Sequence, residues 1–397
     1  MTIDIGTGIG KEGSSFQAGK TAAKQALDQI GAEQCDLVLV LSSAKFDFPE
    51  LIKGIRTITG QAQLVGGSAH DQIFNQSRQT GAVIVMCMKT GASANSGAAG
   101  IVTACCKGLK ADAGRVGAEL AEQLIQGISL PAKGTIIILP SGSGANLSAL
   151  VHSIYDTAGA GVQILGGSFS NDIQIEETYQ FFNEEIFTDG VCGIYFPPEI
   201  HIGVGIKHGW FPMGELMLVT KSNHNILEEL DNRPAADVFD EKLNIAVSSI
   251  TPKIPVEPDK VDYSLGIFEF GGGYLIRHLY SHTPERKIIC YGDIPQDSMV
   301  SLMGWTKETL INAAGEAALK VSSLMTGKKI KAVIVFDCVS RLWLLGADID
   351  REIKAVRKVF GEEIPIFGFF TNGEIGVLEG GQPRFHNKTV VVCAIGE

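Results

Sequence analysis

A short apolar strand that runs into a glycine pair occurs more than once in this chain. Gln63-Leu64-Val65-Gly66-Gly67-Ser68 returns 100 positions later as Gln163-Ile164-Leu165-Gly166-Gly167-Ser168. A looser third copy is Pro365-Ile366-Phe367-Gly368-Phe369-Phe370. An acidic residue follows each first glycine by five or six positions: Asp71, Asp172 and Glu374. Glycine at a strand end admits a tight turn or a close backbone approach, and such loops are also where ligands bind. A loop used three times reads more naturally as architecture than as three binding sites, so the chain is expected to contain three related units.

The segments around each copy repeat in order. In the first unit, Phe16, Ala23, Ala26, Leu27 and Ile30 recur at helical spacing before Gly31, and residues 36–41 form a buried strand. A helix over 48–58, the Gln63 strand and a strand over 80–88 complete it. The second unit places helices at 113–125 and 147–158 and strands at 134–139, 163–168 and 190–195. The third places helices at 306–325 and 349–360 and strands at 332–336, 366–370 and 389–395. Units of roughly 100 residues exceed solenoid repeats and indicate internal duplication. Between units two and three, Ile202, Val204 and Ile206 alternate as a half-buried strand, and 215–221 forms another. A Pro- and Lys-rich stretch, 251–262, reads as a surface loop. The expected fold is α/β with mixed sheets. Two domains are expected, 1–230 (units of about 1–110 and 111–230) and 231–397, divided at Asp231-Asn232.

Composition narrows the function. Across 397 residues, 45% hydrophobic and 19% charged side chains describe a globular chain with a sizeable core. A net charge of −11 argues against nucleic-acid partners, which require a basic face. No basic segment precedes an apolar run at the start, and the apolar runs are strand-length, so neither a signal peptide nor a transmembrane segment is expected. Eight cysteines without a Cys-x-x-Cys spacing speak against zinc or a disulfide scaffold and favour a reducing cytoplasm.

Asp36-Leu37-Val38, Val65-Gly66-Gly67-Ser68, Gly209-Trp210-x-Pro212-x-Gly214 and Val219-Thr220-Lys221 resemble the N-terminal FIST domain. Residues 229–235 resemble the hinge to its C-terminal partner. Phe336-Asp337-Cys338-Val339-Ser340-Arg341, Glu352, Gly368-Phe369-x-Thr371-x-Gly373-Glu374 and His386-Asn387-x-Thr389 resemble the FIST C-terminal signature, with Asp337 departing from the family's usual small polar residue. The resemblance implies an intracellular sensor of small ligands such as amino acids or small organic acids. The chain ends eight residues after Thr389, so its output is expected through a separate partner, a histidine kinase or cyclase. It places the ligand beside the third glycine copy, with Arg341, Glu374 and His386 foremost and Cys338, Gly368, Phe370 and Asn387 around them. Arg341 can fork a carboxylate, or pair with Glu374 structurally. His386 can bond a ligand, cap a strand or, as the resemblance to stand-alone members that are haem-binding nitric oxide sensors regulating a histidine kinase implies, ligate the iron of a non-covalent haem. An enzyme using Cys338, Asp337 or Glu374 is the alternative of another class.

Other patterns are weaker. His278 and His282 have His-x-x-x-His spacing without the zinc-protease Glu. Gly6-x-Gly8-x-Gly10 is half a dinucleotide fingerprint that precedes any strand–helix unit. Ser141-Gly142-Ser143-Gly144 follows a strand and opens a helix, a place for an anion. Cys105-Cys106 reads as packing.

Overall fold

The computed structural model describes residues 2–91, 100–142, 144–171, 177–241, 244–250, 264–269, 272–378 and 381–397. Asp172, Ser143 and the 251–262 stretch lie outside them. The first unit runs β1 (Ile3–Gly10), α1 (Ser15–Gln29), β2 (Leu37–Ser42), α2 (Phe48–Thr59), β3 (Gln63–Ser68), β4 (Asp71–Phe74), β5 (Ser77–Thr80) and β6 (Val83–Thr90). The second repeats it: β7 (Val102–Lys107), α3 (Ala113–Ile125), β8 (Gly134–Pro140), α4 (Leu147–Ala158), β9 (Val162–Ser168), β10 (Gln180–Phe182), β11 (Glu185–Phe187) and β12 (Gly190–Phe196). The third opens with β13 (His201–Lys207) and is then interrupted. The interruption comprises β14 (Phe211–Pro212), β15 (Met217–Asn223), β16 (Ile226–Leu230), β17 (Arg233–Pro234), α5 (Ala235–Glu241), β18 (Ser264–Phe268), β19 (Tyr274–His282), β20 (Ile288–Cys290) and β21 (Met299–Gly304). The unit resumes as α6 (Lys307–Leu324), β22 (Ile330–Cys338), α7 (Val339–Leu345), α8 (Ile349–Phe360), β23 (Ile366–Thr371), β24 (Gly373–Gly376), β25 (Arg384–His386) and β26 (Val390–Gly396).

The three units build equivalent sheets, ordered β1-β6-β2-β3, β7-β12-β8-β9 and β13-β26-β22-β23. Each has one parallel pair, β2–β3, β8–β9 or β22–β23. Each is completed by another unit's hairpin: β10 pairs with β3, β24 with β9, and β4 with β23. This exchange closes a ring, so no unit has a complete sheet alone. The inner faces of all three sheets share one core, to which Leu39, Val65, Leu139, Leu165, Phe336 and Phe369 contribute. Helices cover the outer faces over three further cores.

The glycine copies are part of this architecture. Gly66, Gly166 and Gly368 stand opposite Val40, Ile138 and Val335 in the parallel pairs. A Cβ at these glycines would lie 2.1, 1.9 and 1.9 Å from those residues' carbonyl oxygens. Gly368 is therefore a strand residue without room for a side chain, and not a ligand cradle.

Each unit also begins with a strand: the alternation of Ile202, Val204 and Ile206 announces β13, but no hydrophobic pattern announces β1. In β1, a Cβ at Gly6, Gly8 or Gly10 would lie 2.1 Å from the carbonyl of Ala26, Ala22 or Ala18 on α1. The half-fingerprint is thus a strand packed directly on a helix backbone, not a phosphate loop. The expected 80–88 strand divides at Gly81 (φ +59°), where the exchanged hairpin ends and β6 begins.

The interruption is a separate closed barrel. Its strands pair around the ring β21-β15-β16-β20-β19-β18 and back to β21, enclosing Val219, Leu227, Leu265, Leu279 and Val300. Asp231 and Asn232, with φ of 52° and 61°, form the turn joining β16 to β17 inside this barrel.

Candidate functional site

The carboxyl ends of parallel strands are where open α/β sheets present loops to ligands. Two such ends, those of β8 and β22, converge here against the barrel. They enclose a cavity of about 290 Å³. Gly142 and Gly144 line it from the β8 loop, and Cys338, Ser340 and Trp343 from the β22 loop and α7. Asn372, Asn387 and Lys388 line it from the turns flanking the exchanged hairpin; His278, Tyr280 and Tyr291 come from the barrel.

Local hydrogen bonds fix these walls. Asn372 Nδ2 donates to the Gly142 carbonyl at 3.3 Å, and the Tyr291 hydroxyl donates to the same oxygen at 2.7 Å. Asn387 accepts from the His278 N–H at 3.2 Å and donates to the His386 carbonyl at 3.1 Å. Lys388 adopts φ +60° and is fully buried, with its ammonium 5.6 Å from the Trp210 ring centre. It is the only formally charged residue among the described lining residues.

Behind one wall lies a buried proton-bearing group. The Cys338 thiol accepts from the Ser340 hydroxyl at 3.1 Å and lies beside the Glu374 carboxylate. Glu374 also accepts from Thr389 N–H at 3.0 Å, from the Thr389 hydroxyl at 2.7 Å and from the Thr371 hydroxyl. Such donors lower a carboxyl pKa, but burial outweighs them and lifts Glu374 to about 7. Burial, with the Glu374 charge nearby, pushes the Cys338 thiol well above its ordinary value, so it is held as a thiol and not as a nucleophilic thiolate.

Of the residues expected from sequence, Cys338 and Asn387 line the cavity, and Glu374 reaches it through Cys338. Arg341 does not. Its Nε donates to Glu352 at 2.9 Å, its Nη1 to the His208 and Lys388 carbonyls at 2.5 and 3.1 Å, and its Nη2 to the Leu310 carbonyl at 2.9 Å and to Glu352. Asp337 Oδ1 lies 3.2 Å from the same Nε without hydrogen-bond geometry. One arginine thus serves two buried carboxyls. Burial and the Glu352 charge raise Asp337 well above its ordinary pKa, so it keeps its proton and leaves the charge pair to Arg341 and Glu352. The expected carboxylate fork is a core ion pair, and its acid is Glu352, not Glu374.

His386 is fully buried, its Nε2 bonded to the Gly376 carbonyl at 3.1 Å, and burial pulls it down to about 3. It does not line the cavity and does not fit an axial haem ligand. Phe370 is buried in the α6–α8 core. His278 and His282 are four apart on a strand, about 13 Å at strand rise, and no group of potential metal ligands occurs among the described residues.

No sequence pattern marks Tyr280, Tyr291, Trp343, Asn372 or Lys388, and His278 stood out only for its spacing to His282. Only the Ser141–Gly144 loop signalled the second wall. The barrel residues are brought in by tertiary packing, and no local pattern marks them.

Comparisons with known proteins agree with the resemblance. The FIST N domain matches residues 36–233 and the FIST C domain residues 235–377. An uncharacterized protein of Mycobacterium tuberculosis is 24% identical over 235 residues, 55% of this chain and 57% of that protein. The chain therefore spans little more than half the length of that relative. An uncharacterized protein of Mycobacterium bovis is 23% identical over 397 residues, 95% of each chain. Among solved structures, a cyanuric acid hydrolase described as arising by structural concatenation covers 100% of both chains at 7% identity and a TM-score of 0.37. The PurL of Thermotoga maritima complexed with ATP covers 99% of this chain and 71% of its own at 13% identity and a TM-score of 0.23. Likenesses this weak carry no argument. The two matched domains abut and cover most of the sequence: the chain belongs to the FIST family.

Proposed function

We propose that this protein is a cytoplasmic sensor that binds a small organic acid or amino acid and signals through a separate partner, a histidine kinase or cyclase. FIST domains are linked to sensing in signal transduction. The observation that carries the reading is the composition of the cavity at the junction of unit two, unit three and the barrel. Its volume suits a small molecule, and its lining joins Lys388, which carries a formal charge, to amides, hydroxyls, aromatic rings, the Cys338 thiol and the His278 imidazole. A ligand there touches three structural bodies at once, which gives binding a route to altering their packing.

Thermal-shift screening of small acids and amino acids tests this. A ligand at 100 times its Kd adds about 2.7 kcal/mol, and Ser340→Phe, which fills the cavity, should abolish the shift while leaving the unliganded midpoint nearly unchanged. A stabilising acid whose shift survives Ser340→Phe would place binding elsewhere. The Cys338–Glu374 contact favours an enzyme as the second reading, and the raised thiol pKa weighs against it. Turnover of a stabilising acid, lost in Cys338→Ser, would establish it.

A further inference from the structure

The barrel presents one outward apolar face. Strands β18, β21 and β15 lie side by side there, and their registers align residues in rows. Ile267, Val300 and Met217 form one row, and all three belong to the barrel's core. Side chains alternate along a strand, so the residues one step on, Phe268, Met299 and Leu218, point outward. One step the other way, Leu216 points outward too. Phe268 is 44% and Leu216 41% exposed, and Met299 and Leu218 are half-buried. Phe211, paired with Gly304 at the end of β21, and Met213, whose N–H donates to the Leu302 carbonyl at 2.9 Å, extend the face at 40% and 53% exposure. Isolated exposed apolar side chains are ordinary, whereas a contiguous group of them marks an interaction surface.

The border of this face is acidic. Glu215 adjoins Leu216, and Glu269 adjoins Phe268. Asp297 lies beside β15, its N–H donating to the Val219 carbonyl at 2.8 Å, and Asp231 accepts from the Leu218 N–H at 2.8 Å. Residues 211–218, 264–269 and 297–304, which form the face, contain no lysine or arginine, in a chain with 33 basic residues to 44 acidic ones.

We propose that this face docks a basic amphipathic helix of a partner protein. The helix's apolar stripe covers Leu216, Leu218, Phe268 and Met299, and its lysines or arginines meet the acidic border. Charge selects this occupant over two others. A second copy of this chain would bring the same acids against these, and an anionic bilayer surface would be repelled in the same way. This rests on the reading that the protein signals through a separate partner, and it names the face that partner takes. The same barrel supplies His278, Tyr280 and Tyr291 to the cavity, so a partner docked here contacts a body that the ligand also touches.

Fluorescence anisotropy on the full chain tests it with a labelled Leu/Lys peptide of about 14 residues patterned at helical period. Controls are a scrambled peptide of the same composition and a Leu/Glu peptide of the same pattern. The Leu/Lys helix should bind about tenfold tighter than either control. Leu216→Ser with Phe268→Ser, and separately Glu215→Lys with Asp297→Lys, should each weaken it about tenfold. Glu33→Lys with Glu122→Lys, at exposed acids of the first two units, should not. No binding, equal binding of the scrambled peptide, or binding that survives both barrel variants overturns the proposal. So does dimerisation in sedimentation, or adsorption to phosphatidylserine vesicles, that Leu216→Ser with Phe268→Ser abolishes, since either gives the face to another occupant. The thermal shift produced by a small acid should be the same in the parent and in both barrel variants. If that shift is present and the peptide fails, only the docking face falls; if no acid shifts the parent, the sensor reading falls instead.

Discussion

Arg341 and Glu374 were the strongest binding candidates on chemistry alone, and burial gives each a different role. An arginine forking a carboxylate looks the same in sequence whether the carboxylate belongs to a ligand or to Glu352. Arg341→Lys should cost about 3–5 kcal/mol in urea denaturation, because a lysine cannot reach the three carbonyls and Glu352 together and leaves that acid poorly compensated. The ligand-induced shift of the folded fraction should be unchanged; a lost shift would return Arg341 to the site. Glu374 gives a pH signature. Its folded pKa of about 7 lies above the ordinary 4.5, so the folded state binds the extra proton and its stabilisation is lost as pH rises from 4.5 through 7. That interval corresponds to on the order of 3 kcal/mol. His208 and His386, pulled down to about 4 and 3, act oppositely, losing stability as pH falls below 6.5. Comparing Glu374→Gln with the parent cancels the histidines. The variant should gain relative stability between about pH 5 and about pH 8, and a constant difference would refute the raised pKa.

At the scale of elements, the helices and inner strands were legible because their apolar side chains carry the period. Opening strands β1 and β13 were not read as partners of their sheets' helices, because glycine replaces the large residues wherever helix backbone lies against strand. The same close approach makes the three first glycines intolerant. Gly66→Ala, Gly166→Ala and Gly368→Ala should each destabilise by several kcal/mol or prevent folding, since the obstructing atom is a backbone oxygen that cannot move independently. A fully stable Gly66→Ala protein would show that the β2–β3 spacing is wider than described. The hairpin exchange was also illegible: β4, β10 and β24 pair with strands of other units, and short strands paired at long range leave no periodicity of their own.

The whole molecule joins three interlocked units to a barrel inserted into the third, and the candidate site exists only where they meet. Sequence repetition pointed to the third unit, and Cys338 and Asn387 do lie on the cavity wall. The remaining walls come from the second unit's β8 loop and from the barrel, more than 40 residues away along the chain in every case, so no motif could unite them. If the cavity is the sensing site, its ligand couples the barrel to the ring. The direct measurement is a crystal structure grown with the acid that gives the largest thermal shift. Electron density for its carboxylate is expected beside Lys388, bordered by Asn372 and Asn387. Ligand density outside this cavity, with the cavity closed by its own side chains, would contradict it.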